Sequence, residues 1–145
     1  MEQFKIDNFV RAFGNGFPDY RCLSGTECAD LFSRLATRLG LPTTIQGLDL
    51  LIELSKLGVV LPGVSAESDD FVLSRTISDS GIVSEPSVFL NWYRFDNVDQ
   101  LQLTDLTKYF DDIWYPAADD IDVFDTTLSW VISIRHDGMV FLVRL

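Results

Sequence analysis

The chain has 145 residues, 47% of them hydrophobic and 12% aromatic, with a net charge of −11 and a pI near 4.2. That length supports one domain with its own core, and that apolar content excludes an intrinsically disordered chain. The charge argues against nucleic acid and anionic membranes as partners, because both are gripped through Lys and Arg that displace counterions.

In chain order, Ile6, Phe9, Val10 and Phe13 follow i, i+3, i+4, i+7 and predict an amphipathic helix over residues 2–13. Gly14-Asn15-Gly16 ends it, and Phe17-Pro18-Asp19 continues the loop. Ser24 and Glu27 have capping-box spacing, in which each side chain satisfies a free amide of the first turn. A second helix follows, with Cys28, Phe32, Leu35 and Leu39 along one face and Leu31 and Ala36 beside them, stopped by Gly40 and Pro42. Thr43 and Gln46 repeat the capping pattern before a third helix, with Leu48, Leu51, Ile52 and Leu54 facing inward and Gly58 at its end.

Val59 to Leu61 reads as a short strand and 63–70 as a polar loop. Alternation predicts strands over 71–77 and 88–95, with a loop over 78–87 between them. Residues 103–110 suggest a short helix capped by Thr104 or Asp105, and 120–125 a short strand of alternating acid and hydrophobe. Asp137-Gly138 is a two-residue hairpin signal. It pairs His136 with Met139, Ile134 with Phe141, Ile132 with Val143 and Trp130 with Leu145, placing all eight on one apolar face. The expected fold is α+β, with N-terminal helices packed on one face of a C-terminal antiparallel β-sheet that ends in a β-hairpin. Residues 1–145 form a single domain, helical over 1–60 and strand-rich and acidic over 61–145. Charge follows that division: six bases and seven acids precede residue 61, five bases and fifteen acids follow it.

Two cysteines, Cys22 and Cys28, are too few for a disulfide framework and read as reduced thiols, Cys28 buried. The first residues lack the apolar core of a secretory signal, and no run reaches the roughly 20 apolar residues of a membrane span. The expectation is a cytoplasmic protein that needs no cofactor.

Seven aspartates lie between Asp105 and Asp125, opposed by Lys108 alone, with large hydrophobes threaded among them. Acid around aromatic anchors suits a surface that grips a basic protein. The candidate partner-binding residues are Asp111, Asp112, Trp114, Tyr115, Asp119, Asp120, Asp122, Phe124 and Asp125. Three other readings use the same stretch. Core aromatics beside a solvated acidic loop would look alike. A regulatory or scaffold module would use an acidic docking face. A metal-dependent hydrolase would use the aspartates as Mg²⁺ or Ca²⁺ ligands, but the glycine and terminal glutamate of an EF-hand loop are missing. His136, the one histidine, reads as a residue capping the hairpin beside its turn, because the adjacent Asp137 points to the opposite side of the strand and cannot orient it as a general base. In a winged-helix reading, residues 45–57 would offer DNA only Gln46 and Lys56, which argues against base readout.

The string Tyr109-Phe-Asp-Asp-Ile-Trp-Tyr-Pro-Ala-Ala-Asp-Asp-Ile-Asp-Val-Phe-Asp125, followed by Trp130 and His136-Asp-Gly138, resembles small bacterial cytoplasmic domains of the immunity type, antidotes to toxins used between competing bacteria. The resemblance covers residues 88–145 and implies a non-enzymatic protein that occludes a basic toxin domain. It implies neither an oligomeric state nor individual site residues.

Overall fold

The computed structural model describes all 145 residues. Six helices and seven strands alternate along it: α1 (Gln3–Phe13), β1 (Tyr20–Cys22), α2 (Gly25–Arg38), α3 (Gly47–Leu57), β2 (Val59–Ser65), α4 (Leu73–Asp79), β3 (Ser87–Trp92), β4 (Val98–Gln102), α5 (Leu103–Lys108), α6 (Phe110–Ile113), β5 (Ile121–Asp125), β6 (Trp130–Ile134) and β7 (Met139–Arg144). All strands join one antiparallel sheet in the order β1-β4-β3-β5-β6-β7-β2. The α+β class therefore holds, although two strands come from residues before 66 and three helices from residues after it.

Local signals explain most of these boundaries. Ser24 and Glu27 form the full capping box that opens α2. The Thr43–Gln46 pattern makes no such box: Gln46 itself precedes α3 and caps nothing with its side chain. Neither Thr104 nor Asp105 caps α5, which starts directly from the end of β4 at Gln102. Residues 71–77 are a correction. Alternation there predicts a strand, yet Leu73–Asp79 is α4, placing Leu73, Thr76 and Ile77 inward. Seven residues with apolar positions at i and i+4 fit both periods, and packing decides between them.

The sheet is covered on both faces rather than one, which is a second correction. On the first face, Val88 and Leu90 of β3, Ile121 and Val123 of β5, and Trp130, Ile132 and Ile134 of β6 pack under α4, α5, α6 and Trp114. On the second, Phe89, Phe124, Val131 and Val143 pack under α2 and α3 through Cys28, Leu31, Leu35, Leu50, Leu51 and Leu54. A strand buried on both faces reads as a nearly continuous apolar run, as Trp130–Ile134 does apart from Ser133. Helix α1 lies outside this sandwich against α6, with Phe9 edge-on to Tyr109 and Phe17.

The hairpin exists, but its register differs by one residue from the two-residue expectation. Trp130 pairs with Arg144, Ile132 with Leu142 and Ile134 with Val140. The Arg135 N–H donates to the Met139 carbonyl at 3.0 Å, and the Gly138 N–H to the Arg135 carbonyl at 2.8 Å. Three residues, His136 to Gly138, thus make the turn, with Gly138 at φ 78° in the left-handed region. This is a turn closed by a left-handed glycine, which a three-residue connection favours. A one-residue slip exchanges faces on one strand, so Val140 and Leu142 join the first core while Val143 joins the second. The apolar set expected on one face is split between two.

Candidate functional site

The aspartate run is not one continuous surface. Asp119, Asp122 and Asp125 are buried, as are Trp114 and Phe124, so these five cannot meet a partner as the sequence suggests. Each carboxylate is instead held by donors of the chain. Asp119 accepts the Tyr115 N–H at 2.7 Å and pairs with Lys5, while its own carbonyl accepts the Trp114 indole N–H at 2.9 Å. Asp122 accepts from Asn91 Nδ2 at 2.9 Å and Ser133 Oγ at 2.5 Å. Asp125 accepts from the Glu85 and Thr127 N–H groups, both at 2.9 Å, and from the Trp130 indole at 3.1 Å. Burial pushes the Asp125 carboxyl up, but hydrogen bonds from Thr127, Glu85 and Trp130 outweigh it and hold the group below the usual carboxylate range. Unpaired, such groups would be too costly to bury.

Lys5 is the partner the sequence did not reveal. It sits on α1 with no exposed surface, and its Nζ meets Asp119 and donates to the Ile113 carbonyl at 2.8 Å. Three rings surround the ammonium: Tyr115 at 4.0 Å, Trp92 at 5.1 Å and Phe4 at 5.4 Å from their centroids. This cage pins α1 to the segment after α6 and accounts for Tyr115, which is half-buried. Helical periodicity weighs hydrophobes, so a buried lysine leaves no trace in it.

Of the nine candidate residues, Asp111 is exposed and Asp112, Tyr115 and Asp120 are half-buried. Burial, aided by the charge of Asp111, raises the Asp112 carboxyl above its usual range. Asp120 turns to the final hairpin, where its Oδ1 accepts the His136 N–H at 2.8 Å and lies 3.0 Å from His136 Nδ1. That hydrogen bond and the negative charge raise the His136 imidazole. The aspartates thus point at separate protein donors instead of converging on one point, and no three acidic, histidine or cysteine side chains gather as metal ligands. Both cysteines are free, Cys22 exposed and Cys28 buried.

Asp120 opens onto a groove at the end of the sheet. One chamber, about 400 Å³, lies between α3 and the strand ends and is lined by Leu48, Leu51, Ile52, Tyr93, Asp120 and Arg135, with Ser55 and Lys56 at its margin. A second, about 250 Å³, is lined by Glu2, Asp96, Asp119 and Asp120, with Trp92 and Tyr93 as its aromatic wall. Tyr93 and Asp120 belong to both.

Several features build this groove from below. A polar row, Asn91, Asp122 and Ser133, crosses β3, β5 and β6 in register beneath it. Arg135 lies just past the end of β6, its Nη2 3.3 Å from Asp122 Oδ1, near enough for ion pairing but off the line of a hydrogen bond. Asn91 Oδ1 accepts the Phe95 N–H at 2.8 Å and so shapes the β3–β4 connection. In that connection Tyr93 has φ 73° and Phe95 φ 62°, left-handed conformations that bulky residues rarely take. Each costs on the order of 1–2 kcal/mol. Strain of this kind concentrates at functional sites. Its effect here is to turn the Tyr93 ring outward, 38% exposed, as the wall between the chambers. Helix α3 comes close because Gly47 has no side chain; a Cβ there would strike the Arg94 carbonyl oxygen. None of this was legible, since Asn-Trp-Tyr-Arg-Phe-Asp-Asn contains no glycine to announce positive φ. The sequence places Leu48 and Ile52 inward with Leu51 and Leu54, but Leu50, Leu51 and Leu54 fill the core and Leu48 and Ile52 are left to line the groove.

No family model, curated protein or solved structure matches this chain.

Proposed function

We propose that this protein is a non-enzymatic acidic binder that captures a basic polypeptide, acting as a bacterial antidote in the cytoplasm that neutralises a basic toxin domain by covering it. One observation carries the reading: the negative charge survives the loss of the buried aspartates. With Asp99, Asp119, Asp122 and Asp125 in the core, eighteen of the 22 acids still lie at or near the surface, against ten of the 11 bases once buried Lys5 is set aside. Such a field accelerates encounter with a cationic partner and repels phosphate backbones. No helix is long and apolar enough to cross a membrane.

The test is affinity purification of the tagged chain from its source cell at low salt. A single basic polypeptide should co-purify in stoichiometric amount, leave at high salt, and inhibit growth when expressed without this protein. A basic polypeptide that is harmless alone would favour a regulatory or scaffold module. Absence of any basic polypeptide would refute the reading. Screening predicts that salt slows association far more than it speeds dissociation.

A further inference from the structure

We infer that the two-chambered groove is the docking site for a partner segment in which a large apolar side chain stands beside a lysine or arginine. The apolar side chain enters between Leu48, Ile52 and Tyr93, and the cation lies against Glu2 and Asp96, beside the Asp120 carboxylate that His136 already engages. This inference rests on the reading that the partner is basic and states which of its residues this groove selects.

The apolar half follows from α3. Leu50, Leu51 and Leu54 make the stripe that closes the second core, and the fold needs no more of the helix than that. Leu48 and Ile52, one turn apart, stand outside that stripe at 47% and 45% exposure and form the chamber wall instead. Two aliphatic side chains beside an outward-turned tyrosine are an anchor pocket.

The charged half follows from which groups are already paired. Both bases at the apolar chamber are engaged within the chain: Lys56 donates to Glu53 at 2.7 Å, and Arg135 pairs with Asp122. Glu2 and Asp96 take part in none of the chain's six ion pairs. The Tyr93 ring lines the same chamber and carries the Arg94 guanidinium at 5.1 Å from its centroid. A phenol ring beside open carboxylates suits a second cation, held by ring and charge together. Complementarity therefore runs along the groove from apolar to acidic, and a segment with the matching order satisfies both halves at once.

Three acetylated, amidated peptides of equal length serve as probes, titrated into the full-length ¹⁵N-labelled protein: alternating Leu and Lys, alternating Ser and Lys, and alternating Leu and Glu. The Leu–Lys peptide should move the amides of Leu48, Ile52, Tyr93 and Asp96 saturably and bind about tenfold or more tighter than Ser–Lys, as burial of several aliphatic side chains implies. Leu–Glu should not bind. Ile52→Glu should remove the advantage of Leu–Lys over Ser–Lys, and Glu2→Gln with Asp96→Asn should weaken both lysine peptides and flatten their salt dependence. These side chains lie outside the core, and an unchanged amide spectrum elsewhere verifies the fold of each variant. Equal affinity for Leu–Lys and Ser–Lys, shifts mapping to another face, or self-association of the free protein through these amides would each overturn the inference. If the basic polypeptide from the source cell binds Ile52→Glu as tightly as the parent, the groove assignment falls and the basic-partner reading stands. If no basic polypeptide co-purifies, the partner reading falls whatever the peptides do.

Discussion

Lys5 and Asp119 set the residue scale. A buried ammonium and carboxylate that hold each other contribute little net stability, but removing one strands the other. Lys5→Met should therefore destabilise the fold by about 3–5 kcal/mol, read as a lower urea midpoint, and Lys5→Met with Asp119→Asn should recover much of it. Asp125 makes a pH prediction. Its folded pKa is held below the unfolded value by Thr127, Glu85 and Trp130. Its contribution is thus present above about pH 4 and lost as pH falls through the folded value. Asp125→Asn should flatten the acid limb of the stability curve, and an unchanged limb would contradict the hydrogen-bond assignment. His136 has the opposite sign. Asp120 raises its pKa, so the pair stabilises fully below about pH 6.5, the unfolded value, and fades as pH rises through the higher folded one. NMR titration should place the His136 midpoint above that of a free imidazole, and Asp120→Asn should bring it back.

Among the elements, α3 and the β3–β4 connection depend on each other through one contact. Gly47→Ala would drive a methyl group into the Arg94 carbonyl. Overpacking of this kind costs about 1–3 kcal/mol, and thermal melting should show it together with displaced Leu48 and Ile52 amides. Elements announced by local chemistry were legible in the sequence. The Ser24–Glu27 box, the apolar period of α2 and the final hairpin are all where the residues indicate. What failed depended on distant partners. Residues 73–79 became a helix because Leu73 and Ile77 meet the first core. The hairpin took a third turn residue because His136, Asp137 and Gly138 suit a left-handed closure, and dipeptide content alone does not count turn residues. The aspartate run misled for the same reason. Acid spacing is visible in one dimension, whereas the donors that bury it (Lys5, Asn91, the Glu85 N–H) come from elsewhere in the chain.

At the scale of the whole molecule the governing quantity is the net charge of −11. Like charges crowded on a compact body repel more than on an extended one, so the folded state carries an electrostatic strain that salt relieves. Raising ionic strength at constant pH should increase the urea midpoint even though it weakens capture of a cationic partner. A protein whose stability and binding both fell with salt would need its surface ion pairs, such as Arg21–Glu27, to outweigh the general repulsion.

The order of the strands also dictates when the molecule can exist. Strand β2, complete by residue 65, has β7 as its one neighbour, and β7 comprises Met139–Arg144. β1 waits in the same way for β4. During synthesis α2 and α3 emerge first, with their leucine stripes facing a sheet whose central strands have yet to be made. The chain must therefore hold its first half open until β7 has been made, and loop closure over such separations is slow. Folding waits for β7, and ribosome-stalled chains lacking β7 should remain protease-sensitive through β2 while chains that include it resist.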